Sequence, residues 1–217
     1  PLNAPPPPDL LTRQDPPLYT VSVNRNFYQF HGTLDDSRYT PGTAVARYVN
    51  GLRVQYLLPY KFFDEPPTSV AVVGAGGGMD VEAALISGAQ QVAAVEIDPA
   101  IIGLSREYNA SGVYADPRVT THNDDARAFF QSPNGPFDLI VFGFLDSKAL
   151  STSMSSIRLD GFVYTVESIR SAYEKLKDNG MSGLVSAQVP DDGTKTNITA
   201  PASFSLLAPA YGDKYGV

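Results

Sequence analysis

From Ser69 onward the chain alternates short apolar runs with helical patterns. "SVAVVG" is apolar throughout, as in a parallel strand buried on both faces. "DVEAALIS" has helical spacing and is closed by Gly88. "QVAAVEI" reads as a second strand, and Asp98-Pro99 then supplies an N-cap and first-turn proline for "AIIGLSREYN". "RVTTHN" is a third strand, "ARAFFQ" a short helix and "FDLIVFG" a fourth strand. After a long polar stretch, 144–163, "VESIRSAYEKLKDN" predicts a helix stopped by Gly180, and "GLVSAQV" a fifth strand. This alternation predicts an α/β fold with a doubly wound, mostly parallel sheet. Beyond it one helical pattern stands near 200–208, and no final hairpin is visible.

Upstream the pattern is looser. Residues 1–17 are proline-rich, favour polyproline II and read as a linker or surface strap. Residues 18–31 alternate partially and predict one or two strands. Residues 43–63 have helical spacing broken at Pro59, and "DEPP" (64–67) marks a boundary. The expected organisation is a linker (1–17), a small N-terminal β/helical segment (18–64) and a Rossmann-like nucleoside-binding domain (65–217).

Composition narrows the chemistry. A net charge of −7 over 217 residues argues against nucleic-acid binding, which needs a basic face. The absence of cysteine excludes disulfides, zinc thiolates and a cysteine nucleophile, and two histidines, His31 and His122, make a histidine-rich metal site an unfavoured reading. No apolar run is long enough to cross a bilayer. The chain starts at Pro1 rather than Met, so it reads as a piece of a longer protein, cytoplasmic and with room for a membrane tether elsewhere.

The candidate chemistry starts at "VAVVGAGGGMD" (70–80). A strand running through Gly74, Gly76 and Gly78 into a helix lets a ligand touch the backbone beside unpaired N–H groups. The dinucleotide spacing G-x-G-x-x-G would need glycine at 79, where Met79 stands, so the loop leans toward a nucleoside without a pyrophosphate. Glu96, ending the second strand, can accept both ribose hydroxyl protons; the alternative is a solvated strand end. Asp125, after the third strand, can accept from an adenine amino group or simply cap a helix. All three stand at carboxyl ends of strands, where open sheets bind ligands.

"VVGAGGGMDVEAAL", "AVEIDP", "DPRVTTHNDDARAFF" and "FDLIVFG" resemble the spermidine synthase group within the S-adenosylmethionine methyltransferase fold. The likeness is closer to the spermidine synthase-like domains of bacterial multi-span membrane proteins, through "LDSKALSTSMSSIRLDGFVYTVES" (145–168). The resemblance covers roughly residues 55–185. It implies a sheet ordered 3-2-1-4-5, normally completed by a hairpin, and S-adenosylmethionine or its decarboxylated form as donor. Gly74, Gly76, Gly78, Asp80, Glu96, Ile97, Asp125 and Ala126 would form the donor site, with Ile97 packed on the adenine. A small-molecule acceptor such as a polyamine is implied, and homodimers are common in the family.

Two departures accompany the likeness. Aminopropyl transfer needs a base to deprotonate the amine, and the family places an Asp where Gly143 stands, leaving Asp146. The family's glycine loop also carries an Asp at the position of Gly77, which holds the donor's amino group. Glycine there removes repulsion toward a carboxylate and is expected to open room, so intact S-adenosylmethionine should bind at least as well as the decarboxylated form. Asp146 is the first candidate to position an acceptor amine and Asp80 the second. Tyr164 orients a substrate or anchors a lid formed by 144–168, in which Arg158 and Asp160 read as an ion pair. Three readings follow: an aminopropyl or related alkyl transferase, a methyltransferase, and a non-catalytic nucleoside-binding domain of a larger membrane protein. A dehydrogenase is a distant fourth.

Overall fold

The computed structural model describes residues 18–23, 26–143, 165–186 and 203–207. The apolar runs become β3 (Ser69–Val73), β4 (Gln91–Val95), β5 (Val119–His122) and β6 (Phe137–Phe142), all parallel. With β7 (Leu176–Ser186) and β8 (Ser203–Leu207) they form one sheet ordered β5-β4-β3-β6-β7-β8. The first five strands follow the expected 3-2-1-4-5 order. The chain steps outward from β3 to β5, then crosses back to β6. That reversal lies between the carboxyl ends of β3 and β6, the usual ligand position in such sheets.

Side chains alternate across β3 and β6, as a strand's period of two requires. Val70, Val72, Leu139 and Val141 face one core with α1 (Ala44–Leu57) and α2 (Met79–Ile86). Ala71, Val73, Ile140 and Phe142 face a second core with Phe129 and Phe130 of α4 (Ala126–Gln131) and Ala172 of α5 (Val166–Tyr173). α3 (Pro99–Tyr108) begins as its sequence predicts: Asp98 accepts from the Ala100 amide at 2.8 Å, and Pro99 needs no partner for a missing N–H.

Three boundaries differ from the expected ones. α5 ends at Tyr173 instead of continuing to Asn179, and β7 starts at Leu176, well before the predicted 183. "KLKDN" favours helix locally, but Leu176 pairs with Phe137 and the Phe137 amide donates to the Lys175 carbonyl at 2.8 Å. Sheet pairing overrides propensity there. The helix expected near 200–208 is instead β8, antiparallel to β7 with Leu184 opposite Ser205. "SFSL" alternates polar and apolar residues, and pairing satisfies the edge of β7. The terminal hairpin partner not visible in the sequence is therefore present. The helical pattern at 43–63 divides into α1 and a 3-10 turn, Leu58–Phe62, with Pro59 in its first turn.

The N-terminal region packs on the sheet. β1 (Tyr19–Val23) and β2 (Asn26–His31) form an antiparallel ribbon. One core cluster runs from Leu18, Leu34 and Tyr39 through α1 into β3 and β6. Buried Glu82 of α2 fastens this region: its carboxylate accepts from Thr33 Oγ1 at 2.6 Å and the Leu34 amide at 2.8 Å. Glu82→Ala should cost roughly 2–3 kcal/mol, since it removes charge-assisted bonds and strands a buried amide. Urea unfolding would measure this, and an unchanged midpoint would show that the region is held by its apolar contacts alone. The proline-rich 1–17 lies outside the described residues.

Candidate functional site

The glycine loop is held from several sides. Gly74, Gly76 and Gly78 adopt φ of 73°, 47° and 88°, a region side chains rarely enter. The Gly74 and Ala75 amides donate to the Val95 carbonyl at 2.9 and 3.0 Å, fixing the loop to the end of β4. Ser105 Oγ and the Tyr114 hydroxyl donate to the Gly76 carbonyl at 2.7 and 2.8 Å, and Asn109 Nδ2 to the Gly77 carbonyl at 2.7 Å.

Glu96 is buried and braces the loop. Its Oε2 accepts from the Gly76 amide at 2.9 Å and its Oε1 from the Asp98 amide at 3.0 Å. Burial pushes its carboxyl upward and those amides oppose the shift. Each oxygen retains acceptor capacity, so bracing does not use up the carboxylate. Asn123 Nδ2 joins the ends of β4 and β5 by donating to the Glu96 and Ile97 carbonyls at 2.9 and 3.0 Å. Ile97 is 52% exposed, an apolar side chain left open at the sheet's carboxyl edge.

Asp125 caps α4. Its Oδ1 accepts from the Arg127 amide at 2.9 Å and Nε at 3.1 Å, and Arg127 holds its carboxyl below the ordinary range. The capping alternative is thus what the geometry shows for this side chain, which is half-buried and beside buried Ala126. Gly74, Gly76, Gly78, Glu96, Ile97, Asp125 and Ala126 lie together along the carboxyl ends of β3, β4 and β5. Asp146 and Tyr164, with Lys148, Arg158 and Asp160, fall outside the described residues. Glu167 is exposed on α5.

One expectation is corrected. Gly77 does not open room: a Cβ there would collide with the Phe30 carbonyl oxygen and stand 3.4 Å from His31 Cδ2. The end of β2 lies directly on the loop. Gln29 Nε2 approaches His31 Nε2 at 2.7 Å, so the amide donates and the ring stays neutral, with burial pulling His31 down to about 4. No local signal could have announced this, because Phe30 and Gly77 meet only through tertiary packing.

The sequence also did not reveal the environment of Asp80. An acidic residue in a first helical turn is ordinarily solvated dipole compensation. Here it is 7% exposed, and burial lifts its carboxyl to about 7. Its Oδ2 stands 3.0 Å from where a Cβ on Gly143 would sit, and the same Cβ would approach the Gly74 carbonyl to 2.7 Å.

Residues 59–191, more than half of the chain, match the spermine/spermidine synthase domain. The chain belongs to that family. It is 27% identical over 103 residues to a polyamine aminopropyltransferase of Thermoplasma volcanium, covering 46% of this chain and 38% of that one. It is 31% identical over 118 residues to a polyamine aminopropyltransferase of Thermococcus onnurineus, covering 53% and 39%. The aligned parts thus span less than half the length of these relatives. A spermidine synthase structure in complex with the transition state analogue AdoDATO superposes with a TM-score of 0.45 at 20% identity, covering 61% of this chain and 41% of that one. Within this spermine/spermidine synthase domain, no described helix is long and apolar enough to cross a membrane.

Proposed function

We propose that this spermine/spermidine synthase domain binds an S-adenosyl-type nucleoside along the carboxyl ends of β3, β4 and β5 and transfers an aminopropyl or related alkyl group to a small amine. The observation carrying this reading is the convergence of the left-handed glycine loop, Glu96, exposed Ile97 and Asp125 on one edge, within a segment matching the family. Glu96 keeps lone pairs for ribose hydroxyls, Ile97 offers an apolar surface to a purine, and Asp125 stands at the neighbouring strand end. In the transfer the amine lone pair attacks the carbon beside the sulfonium, and the C–S electron pair moves to sulfur.

Thermal stabilisation by S-adenosylmethionine, its decarboxylated form, methylthioadenosine and NAD tests the reading. A ligand at a hundred times its dissociation constant should add about 2.7 kcal/mol. Stabilisation by adenosyl sulfur compounds and not by NAD supports it, and the order of affinities separates aminopropyl from methyl donors. Stabilisation by none would mean the loop is structural. Asp125→Ala should weaken adenosyl binding by about 1–3 kcal/mol, the cost of a lost hydrogen bond to a charged group. Unchanged affinity in calorimetry would place the adenine elsewhere.

A further inference from the structure

Along the carboxyl edge of the sheet the other described carboxylates each accept from at least one amide. Glu96 braces the glycine loop, and Asp98 caps α3. Asp125 caps α4 and pairs with Arg127. Asp124 is exposed and accepts from the Asp125 amide. Asp80 differs: it is 7% exposed and has no hydrogen-bond or ion-pair partner among the described residues.

Its position is equally particular. The Gly143 amide donates to the Val73 carbonyl at 2.8 Å, holding the end of β6 beside the end of β3. The Asp80 carboxylate lies against this junction, with Oδ2 3.0 Å from the Cβ position of Gly143. That is the point where the strand order reverses. Tyr56 of α1, Tyr60 of the following 3-10 turn and Tyr114 all feel its charge. The Tyr60 hydroxyl is buried and lacks a hydrogen-bond partner among the described residues. Among the described residues, then, a buried carboxylate lies near a buried phenol that lacks a partner, and buried polar groups are ordinarily hydrogen-bonded.

We propose that Asp80 is the catalytic carboxylate that accepts the proton of the acceptor amine. This rests on the donor-binding reading above and adds to it the identity of the base. The ammonium gives a proton to the Asp80 carboxylate. The freed lone pair forms the C–N bond while the C–S bond breaks, its electron pair leaving on sulfur as a neutral thioether. The product departs as a secondary ammonium, and Asp80 returns its proton to water. Burial supports the role: a carboxyl lifted to about 7 is a stronger base than an ordinary one while still partly ionised at neutral pH. The titratable described groups facing it, Tyr56, Tyr60 and Tyr114, are pushed upward by burial and stay neutral in this range.

The test compares wild type with Asp80→Asn. Calorimetry with methylthioadenosine reads donor-site binding. Release of methylthioadenosine from decarboxylated S-adenosylmethionine, with 1,4-diaminobutane as acceptor, reads transfer from pH 5.5 to 9. The Asn variant should lose about a hundredfold or more in turnover at saturating donor, the usual contribution of a general base, beyond any change in its methylthioadenosine affinity. Wild-type kcat/KM should fall below a limb near pH 7 that the variant lacks, and this limb is measured without any substitution. An Asn variant matching wild type at every pH, or a wild type that binds methylthioadenosine but transfers nothing, overturns the assignment of Asp80. A wild type that binds no adenosyl compound overturns the donor-binding reading, and the assignment falls with it.

Discussion

Gly77→Asp should lower stability by more than about 3 kcal/mol, beyond the usual cost of overpacking a filled site. The obstacle is backbone: the Cβ would collide with the Phe30 carbonyl oxygen, which no rotamer change can move. The next atoms, the Phe30 carbonyl carbon at 3.3 Å and His31 Cδ2 at 3.4 Å, belong to the same strand end. Relief therefore requires β2 to lift from the loop. That would break the buried contact of His31 with Ser105 of α3. The new carboxylate would also be placed against a carbonyl oxygen, with like partial charge. Gly77→Ala carries the steric part alone and should show most of the loss in urea unfolding. A stable alanine variant beside an unstable aspartate one would mean that charge, not space, requires glycine at 77.

The second large effect is a pH dependence. Asp80 titrates near 7 in the folded chain, whereas an exposed carboxyl of this kind has a value of 3.8. Between those values the folded state binds the extra proton. This contribution is therefore fully present at acid pH and is lost as pH rises through about 7. A shift of this size corresponds to about 4 kcal/mol. His31 acts with the opposite sign, since burial lowers it from 6.5 to about 4 and the unfolded chain binds its proton first. Comparing wild type with Asp80→Asn cancels that term. Between pH 4.5 and 7.5 the Asn variant should gain on wild type by most of the Asp80 contribution, as read by urea unfolding. Parallel stability curves would show that Asp80 is solvated or paired in solution.

Both effects sit on residues whose surroundings are not written locally. Met79 at the place of a third fingerprint glycine, the Asp98-Pro99 start of α3 and the helix "ARAFFQ" were legible, because each depends on neighbours within a few positions. Glu96 and Asp125 were legible as strand-end carboxylates. Their present bonds, to the Gly76 amide and to Arg127, join them to the loop and helix that position the edge. The α5–β7 boundary was not legible, since "KLKDN" prefers helix until Phe137 offers it a strand partner. Nor was β8, whose register depends on an edge some twenty residues earlier in the chain.

The alternation of strands and helices and the glycine loop with its two acidic companions are written in the linear sequence, whereas the order of the first five strands was implied by the resemblance to the spermidine synthase group. Period-two and helical patterns, caps and turn residues are short-range and survive in a linear reading. That β2 fills the space above Gly77, that Asp80 is shut away from solvent beside Gly143 and that β8 pairs with β7 emerge only in three dimensions. Burial and close approach arise between segments far apart in the chain, so the desolvation that gives Asp80 its altered proton affinity exists only once those segments have packed.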